Sequence, residues 1–228
     1  MKGRPVEAIG VGLVGGALAG LVGWPLGIEI LTAAVGVVNG LVSGWFGIYR
    51  LRYKRGWVAL VLDSTWGLVG TTFGLGLHLI NLFVPGAEYE AQLSNRRDRH
   101  VYSRGMTIRP GFTLSMGNVV SNAGGRVGLR GLAAPVARRR HFVTAHEELH
   151  VWQNRWFGPI FQIVYGSWLI VGAVVGALAW PFVGGKWWNA IETVAYYDNP
   201  FEFWAYSNDD YWPPRGVHPR LTWRRRVT

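Results

Sequence analysis

The chain has 228 residues, half of them hydrophobic and 16% charged, with 32 glycines, 13 tryptophans and no cysteine. That mix is unusual for a soluble enzyme and ordinary for a multi-pass membrane protein, and the missing cysteine excludes disulfides and thiolate metal ligands. The net charge is +10, but 20 of the 23 basic residues are arginine, a bias that reflects genome base composition before it reflects function. What remains of the charge favours anionic lipid headgroups as partners. No RNA- or DNA-binding motif accompanies it, so no nucleic acid is expected.

Residues 8–26 and 28–49 are two apolar segments of spanning length, with only a Trp24-Pro25 turn between them. They predict a tight helical hairpin. Glycine recurs at every fourth position, Gly12, Gly16 and Gly20 in the first segment and Gly36, Gly40 and Gly44 in the second. On a helix each set forms one stripe along which backbones can approach closely in lipid. The stripes serve either to pack the two helices on each other or to dock a partner protein, and the first use is favoured. Ala17-Leu18-Ala19 resembles a signal-peptide cleavage site, but hydrophobicity continues past it and a retained helix is expected.

Residues 50–56 form a basic loop, and residues 57–83 a third apolar segment opened by Trp57. Helical geometry would set Asp63, Gly67, Gly70, Gly74 and His78 on one packing face. Loop charges put the N-terminus in the cytoplasm, and three crossings then carry residue 84 to the outer side. Eleven arginines between 84 and 158 pull the other way.

Residues 84–145 are polar. Glu88–Arg99 reads as a helix; Val101–Thr107, Phe112–Ser121 and Arg126–Leu132 read as strands, with a turn at Asn122 to Gly125. Arg138-Arg139-Arg140 reads as a solvated or headgroup-facing end. A helix is expected from His141 to Trp156, stopped by Gly158-Pro159. Residues 159–183 are a fourth apolar segment. Trp180, Trp187 and Trp188 mark an interface, and the tail ends in Arg224-Arg225-Arg226.

HEELH, His146 to His150, is the one stretch that names a chemistry. An HExxH helix puts two imidazoles one turn apart on the same face, able to take two tetrahedral positions on zinc. Glu147 then stands where a general base would take a proton from water on the metal. Glu202 of Asn199-Pro200-Phe201-Glu202 is the best third ligand, with Glu192 as its rival. Gln153 lies one turn beyond His150 and could orient it. Tyr196, Tyr197 or Tyr206 could stabilise an oxyanion. If 159–183 spans the bilayer, Glu202 emerges on the far side from His146 unless the chain folds back; a re-entrant or half-buried segment is therefore preferred.

The pieces His146-Glu147-His150-Gln153, Gly158-Pro159 and Asp198-Asn199-Pro200-Phe201-Glu202 resemble a pattern in uncharacterised, actinobacterial-looking membrane proteins, HExxHxxQ…GP…DNPFE. The resemblance covers residues 112–206 at most and implies a zincin-like peptidase whose third ligand is a glutamate; it implies no substrate. The whole reads as a mainly α membrane protein with three transmembrane helices, a fourth spanning or re-entrant hydrophobic helix, and a small extramembrane α+β domain carrying the HExxH helix. The expected divisions are 1–83, 84–158, 159–185 and 186–228, in the plasma membrane, with zinc as cofactor. The function expected is that of a zinc metallopeptidase, or a degenerate relative of one, acting near the membrane surface; the competing reading is a non-catalytic accessory subunit of a larger membrane complex, docked through its glycine faces. The composition resembles that of small membrane proteins of mycobacteria and relatives, which makes a lipid importer of the Mce type one candidate host.

Overall fold

The structure is a computed structural model of the chain and describes residues 4–109, 112–124, 141–209, 212–213 and 216–223. It is mostly helical with a small mixed sheet. Two compact units divide it, Met1–Pro159 and Ile160–Thr228. Three helical stretches are long and apolar enough to cross a membrane: Pro5–Leu26, Glu29–Phe46 and Pro159–Val183.

The first unit begins with the expected hairpin. Helix α1 (Pro5–Gly23) opens on proline in its first turn, where the missing N–H costs nothing. A short 3-10 turn (Trp24–Leu26) leads into α2 (Glu29–Phe46), which Gly47 closes with Ile48 N–H bonding back to Ser43 O. The glycine stripes lie inside this hairpin. A Cβ on Gly40 would sit 2.5 Å from Val11 O, and one on Gly44 2.6 Å from the Ala8 Cα. A Cβ on Gly12 would meet Leu41, one on Gly16 or Gly20 would meet Val37 or Ala33, and one on Gly36 would meet the Gly15 backbone. All six glycines face the other helix and let α1 pack closely on α2, while Gly16 and Gly20 also line a groove beside Glu29 and Ala33.

The third apolar segment departs from expectation. It is two helices, α3 (Lys54–Ser64) and α4 (Leu68–Phe83), bent by 90° at the break. The chain turns because the N–H groups of Thr65 and Gly67 both return to Leu62 O, and a Cβ on Gly67 would lie 2.9 Å from that oxygen. Asp63 thus belongs to a different helix from Gly70, Gly74 and His78. The face that carries Gly74 receives the backbone of Met116, 2.7 Å from its would-be Cβ. Ser64, at the end of α3, reaches only the level of Gly15, midway along α1.

Beyond α4 the chain returns to the open end of the hairpin. Arg96 bonds to Glu7 at 2.5 and 2.7 Å and to Tyr49 O at 2.6 Å, Asp98 accepts from Arg50, and His100 meets Ser43 at 3.2 Å. The third apolar segment is thus a bent pair of helices rather than one straight helix, and the segment that follows it packs at the end of the hairpin where the chain began.

The sheet runs in the order β1-β2-β4-β3. Its strands are β1 (Glu88–Tyr89), β2 (His100–Arg104), β3 (Leu114–Met116) and β4 (Val119–Ser121); β2 and β4 are parallel and the other pairs antiparallel. The helix expected over 88–99 shrinks to the single turn α5 (Ala91–Ser94), because Glu90 N–H pairs with Val101 O instead. The strand expected over 112–121 doubles back at Gly117, whose φ of 53° suits glycine. Residues 122–124 do not turn away where a turn was expected: the N–H groups of Ala123 and Gly124 bond to Tyr102 O and Ser103 O of β2, while Gly125, Arg126–Leu132, Arg138-Arg139-Arg140 and Arg224-Arg225-Arg226 lie outside the described residues. The unit closes with the expected helical stretch from His141 to Phe157, a π-helical turn (Val143–Glu147) followed by α6 (Glu148–Phe157).

The second unit is built on α7 (Pro159–Val183), an uninterrupted helix of 25 residues, or about 37 Å, so of the re-entrant and half-buried forms preferred from the sequence the segment does not itself dip and return. Its only buried residues are Gly172 and Gly176. Against them the chain returns antiparallel: a Cβ on Gly172 would lie 2.7 Å from the Ala195 Cα, and one on Gly176 2.6 Å from Ala190 O. The returning limb is α8 (Trp187–Glu192), a π-helical turn (Thr193–Tyr197) and α9 (Pro200–Asn208). Fold-back therefore coexists with a full-length helix.

Candidate metal centre

His146 and His150 sit on the single stretch formed by the π-helical turn and α6. Three stripes of this stretch have separate duties. Val143 and Val151 join Leu93, Val101, Val120 and Ala123 in a core under the sheet. Glu148, Trp152 and Arg155 anchor the opposite side: Glu148 pairs with buried Arg99 and with Arg55, and Trp152 packs with Val11, Tyr49 and Leu60. Arg155 grips Asp63 through two bonds of 2.8 Å each and also donates to Asp98 O. Burial works against the Arg155 charge, but Asp63 beside it outweighs burial, so its pKa is raised. Burial lowers that of Arg99, against the opposing effect of Glu148.

The third stripe is the site. The Nε2 atoms of His146 and His150 lie 3.2 Å apart. Two nitrogens on one tetrahedral zinc are separated by roughly 3.3 Å, since each Zn–N bond is about 2.0–2.1 Å. The other ring nitrogen of His150, Nδ1, is 2.8 Å from Gln153 Oε1. An Oε1 can only accept, so that contact assigns the proton to Nδ1 and leaves the Nε2 lone pair for a metal. Gln153 thus stands where the i, i+3 spacing put it.

Glu147 is buried and accepts a 2.7 Å bond from Ser115 Oγ on β3, the edge strand. Ser115 gave no sequence signal, because nothing local links a strand serine to a glutamate 32 residues on.

Glu202 has its own setting in the second unit. Asn199 caps α9, its side chain accepting from Phe201 N–H at 3.1 Å, with Pro200 in the first turn. That places Glu202 third in the helix, where a glutamate ordinarily reaches back to the cap's N–H. Here the Asn199 N–H is taken by Tyr196 O, and Glu202 Oε1 accepts a 2.6 Å bond from Tyr165 on α7. The antiparallel register explains the meeting: Tyr165 is seven residues before Gly172, and Glu202 seven after Ala195. Tyr165 is the site residue that sequence reasoning missed. Tyr196, Tyr197 and Tyr206 pack ring against ring at steep angles, with centroids 5.2 and 5.9 Å apart.

His146, His150 and Glu202 form a buried group whose ligand atoms all lie within 4.8 Å of one another, a set that could hold a metal ion. Glu192, the rival, is not part of it; its carboxylate lies near Gly216. Two imidazoles and a carboxylate suit a borderline divalent cation such as zinc. No protein-family model, no curated protein and no solved structure matches the chain.

Proposed function

We propose that the protein is an integral membrane zinc protein of the zincin kind, a metallopeptidase acting on a peptide near the membrane surface. The observation that carries this reading is the convergence of His146, His150 and Glu202. The chain's resemblance to HExxHxxQ…DNPFE membrane proteins agrees with it. In this reading His146 and His150 would hold zinc through their imidazoles and Glu202 through its carboxylate. Zinc would supply Lewis-acid polarisation of a carbonyl and acidify water. Glu147 is the group that would take a proton from water and pass it to a leaving amine, and Ser115 holds its carboxylate through a 2.7 Å bond. Gln153 fixes the His150 ring, and Tyr165 fixes Glu202.

Loop charges put the N-terminus, the basic loop and the HExxH helix on the cytoplasmic side of the plasma membrane. The accessory-subunit reading, with a larger complex or an Mce-type importer as host, has less of the glycine stripes to dock through, because most of their length packs inside the hairpin.

The test is the metal content of the purified chain beside a His146→Ala/His150→Ala double variant. About one zinc per chain, lost in the double variant, is expected. Glu147→Gln should retain that zinc and lose peptide hydrolysis. A folded wild-type sample without metal refutes the zinc reading; zinc with hydrolysis unaffected by Glu147→Gln refutes the peptidase reading alone.

A further inference from the structure

At the open end of the α1–α2 hairpin lies a cavity of about 620 Å³ lined by Arg4, Arg50, Arg52 and Arg96 together with Glu7 and Tyr53. Its charge is not balanced from within. Glu7 is shared between Arg96, at 2.5 Å, and Arg4, at 3.4 Å. Asp98, behind the wall, accepts from the backbone N–H and the Nε of Arg50. These two carboxylates face four guanidinium groups, so two positive charges are left over. Arg52 is exposed and makes no ion pair or hydrogen bond among the described residues.

Like-charged side chains converge on one cavity only at an electrostatic cost, and a bound anion offsets it. Guanidinium groups match the oxygens of a phosphate, two parallel N–H donors at a time. The surroundings indicate which phosphate. The cavity sits where the apolar hairpin ends, and exposed Trp45, Tyr53 and Trp57 ring that level as aromatics do at a membrane interface. Trp57 is held there by donating to Leu51 O at 2.8 Å. Exposed Val6 and Ile9 on the first turns of α1 offer an apolar surface beside the charges. We infer that this cavity binds the phosphate of an anionic phospholipid headgroup, with the acyl chains lying along α1. The inference is independent of the metal centre.

The test uses the full chain in neutral detergent, titrated with phosphatidylglycerol, with a neutral glycolipid, and separately with inorganic phosphate. The variants are Arg52→Ala and Arg52→Glu, which disturb no internal ion pair, and Arg220→Glu as an exposed charge reversal in the other unit. Phosphatidylglycerol should bind, the glycolipid should not, and affinity should fall about fivefold in Arg52→Ala and about 30-fold in Arg52→Glu. Arg220→Glu should bind as wild type. If inorganic phosphate also binds in an Arg52-dependent way, the phosphate site stands but serves soluble anions too. Binding of phosphatidylglycerol that is unchanged in Arg52→Glu, or weakened equally by Arg220→Glu, overturns the inference.

Discussion

The ion pair between Asp63 and Arg155 decides whether the HExxH helix is held in register, and its geometry bounds the cost of losing it. Both side chains are essentially fully buried, the pair is bidentate at 2.8 Å, and Tyr49 donates a further 2.9 Å bond to the same carboxylate. Asp63→Ala strands a guanidinium that cannot lose its proton, and Arg155→Ala strands a carboxylate. Each should cost about 3–5 kcal/mol, most of it the desolvation of the unpaired charge. The double variant strands neither charge. Its cost should therefore fall short of the summed singles by about 2–3 kcal/mol. Equilibrium unfolding in mixed micelles would measure the cycle, and Trp152, whose ring lies 4.8 Å from the Arg155 guanidinium, reports locally. Because Arg155 shares a helix with His146 and His150, zinc affinity in the single variants should drop alongside stability. Single variants costing less than about 1 kcal/mol, or costs that add, would refute the claim that this pair anchors the helix.

Gly40→Leu should unfold the hairpin because Val11 O stands in its way, whereas Gly10→Ala, with open space around it, should be neutral or gain up to about 1 kcal/mol; melting temperatures separate the two. Gln153→Ala should weaken zinc binding about 10–100-fold by freeing the His150 ring, read by competition with a chromogenic chelator; unchanged affinity would remove Gln153 from the site. Burial pushes the Asp198 pKa from 3.8 up to about 6, against the lowering effect of bonds from Thr222 and Trp223. The folded state thus holds this proton more tightly than the unfolded one. Its contribution to stability is full below about pH 4 and is lost as pH rises through about 6, a slope that Asp198→Asn should flatten. Finally, the cysteine-free chain allows single-cysteine mapping. Trp24→Cys at the hairpin turn should react with an impermeant maleimide from outside intact cells, while Gln92→Cys should react only after lysis.

Local patterns were legible in the sequence and long-range closures were not. The glycine stripes, the HExxH face, the Gly158-Pro159 stop and the Asn-Pro start of α9 all follow from spacing or capping within a few residues. Each was readable because its physics is helical geometry. The bend between α3 and α4, by contrast, occurs in a run that is apolar throughout, and the partner that holds Asp63 lies 92 residues away. The glutamate that Ser115 contacts and the limb that brings Glu202 to Tyr165 are likewise set by tertiary register. Hydropathy sees how apolar a segment is but not whether it turns.

That limit explains why the two topological signals in the sequence disagreed. Counting 57–83 as one crossing sent the following segment outside, while its eleven arginines favoured the cytoplasm. The structure shows α3 reaching the level of Gly15 before the chain turns by 90°, so the apolar run is not one straight helix. The contacts of Arg96 with Glu7 and of Asp98 with Arg50 tie the later segment to the end of the hairpin where the chain began, in agreement with the placement that the arginines favour. The second unit obeys the same geometry. A full-length α7 alone would put Glu202 at the opposite end from Tyr165, but a limb returning along Gly176 and Gly172 restores it to the end where α7 starts. Within this unit, the apolar helix and its returning limb together are what bring Glu202 to Tyr165.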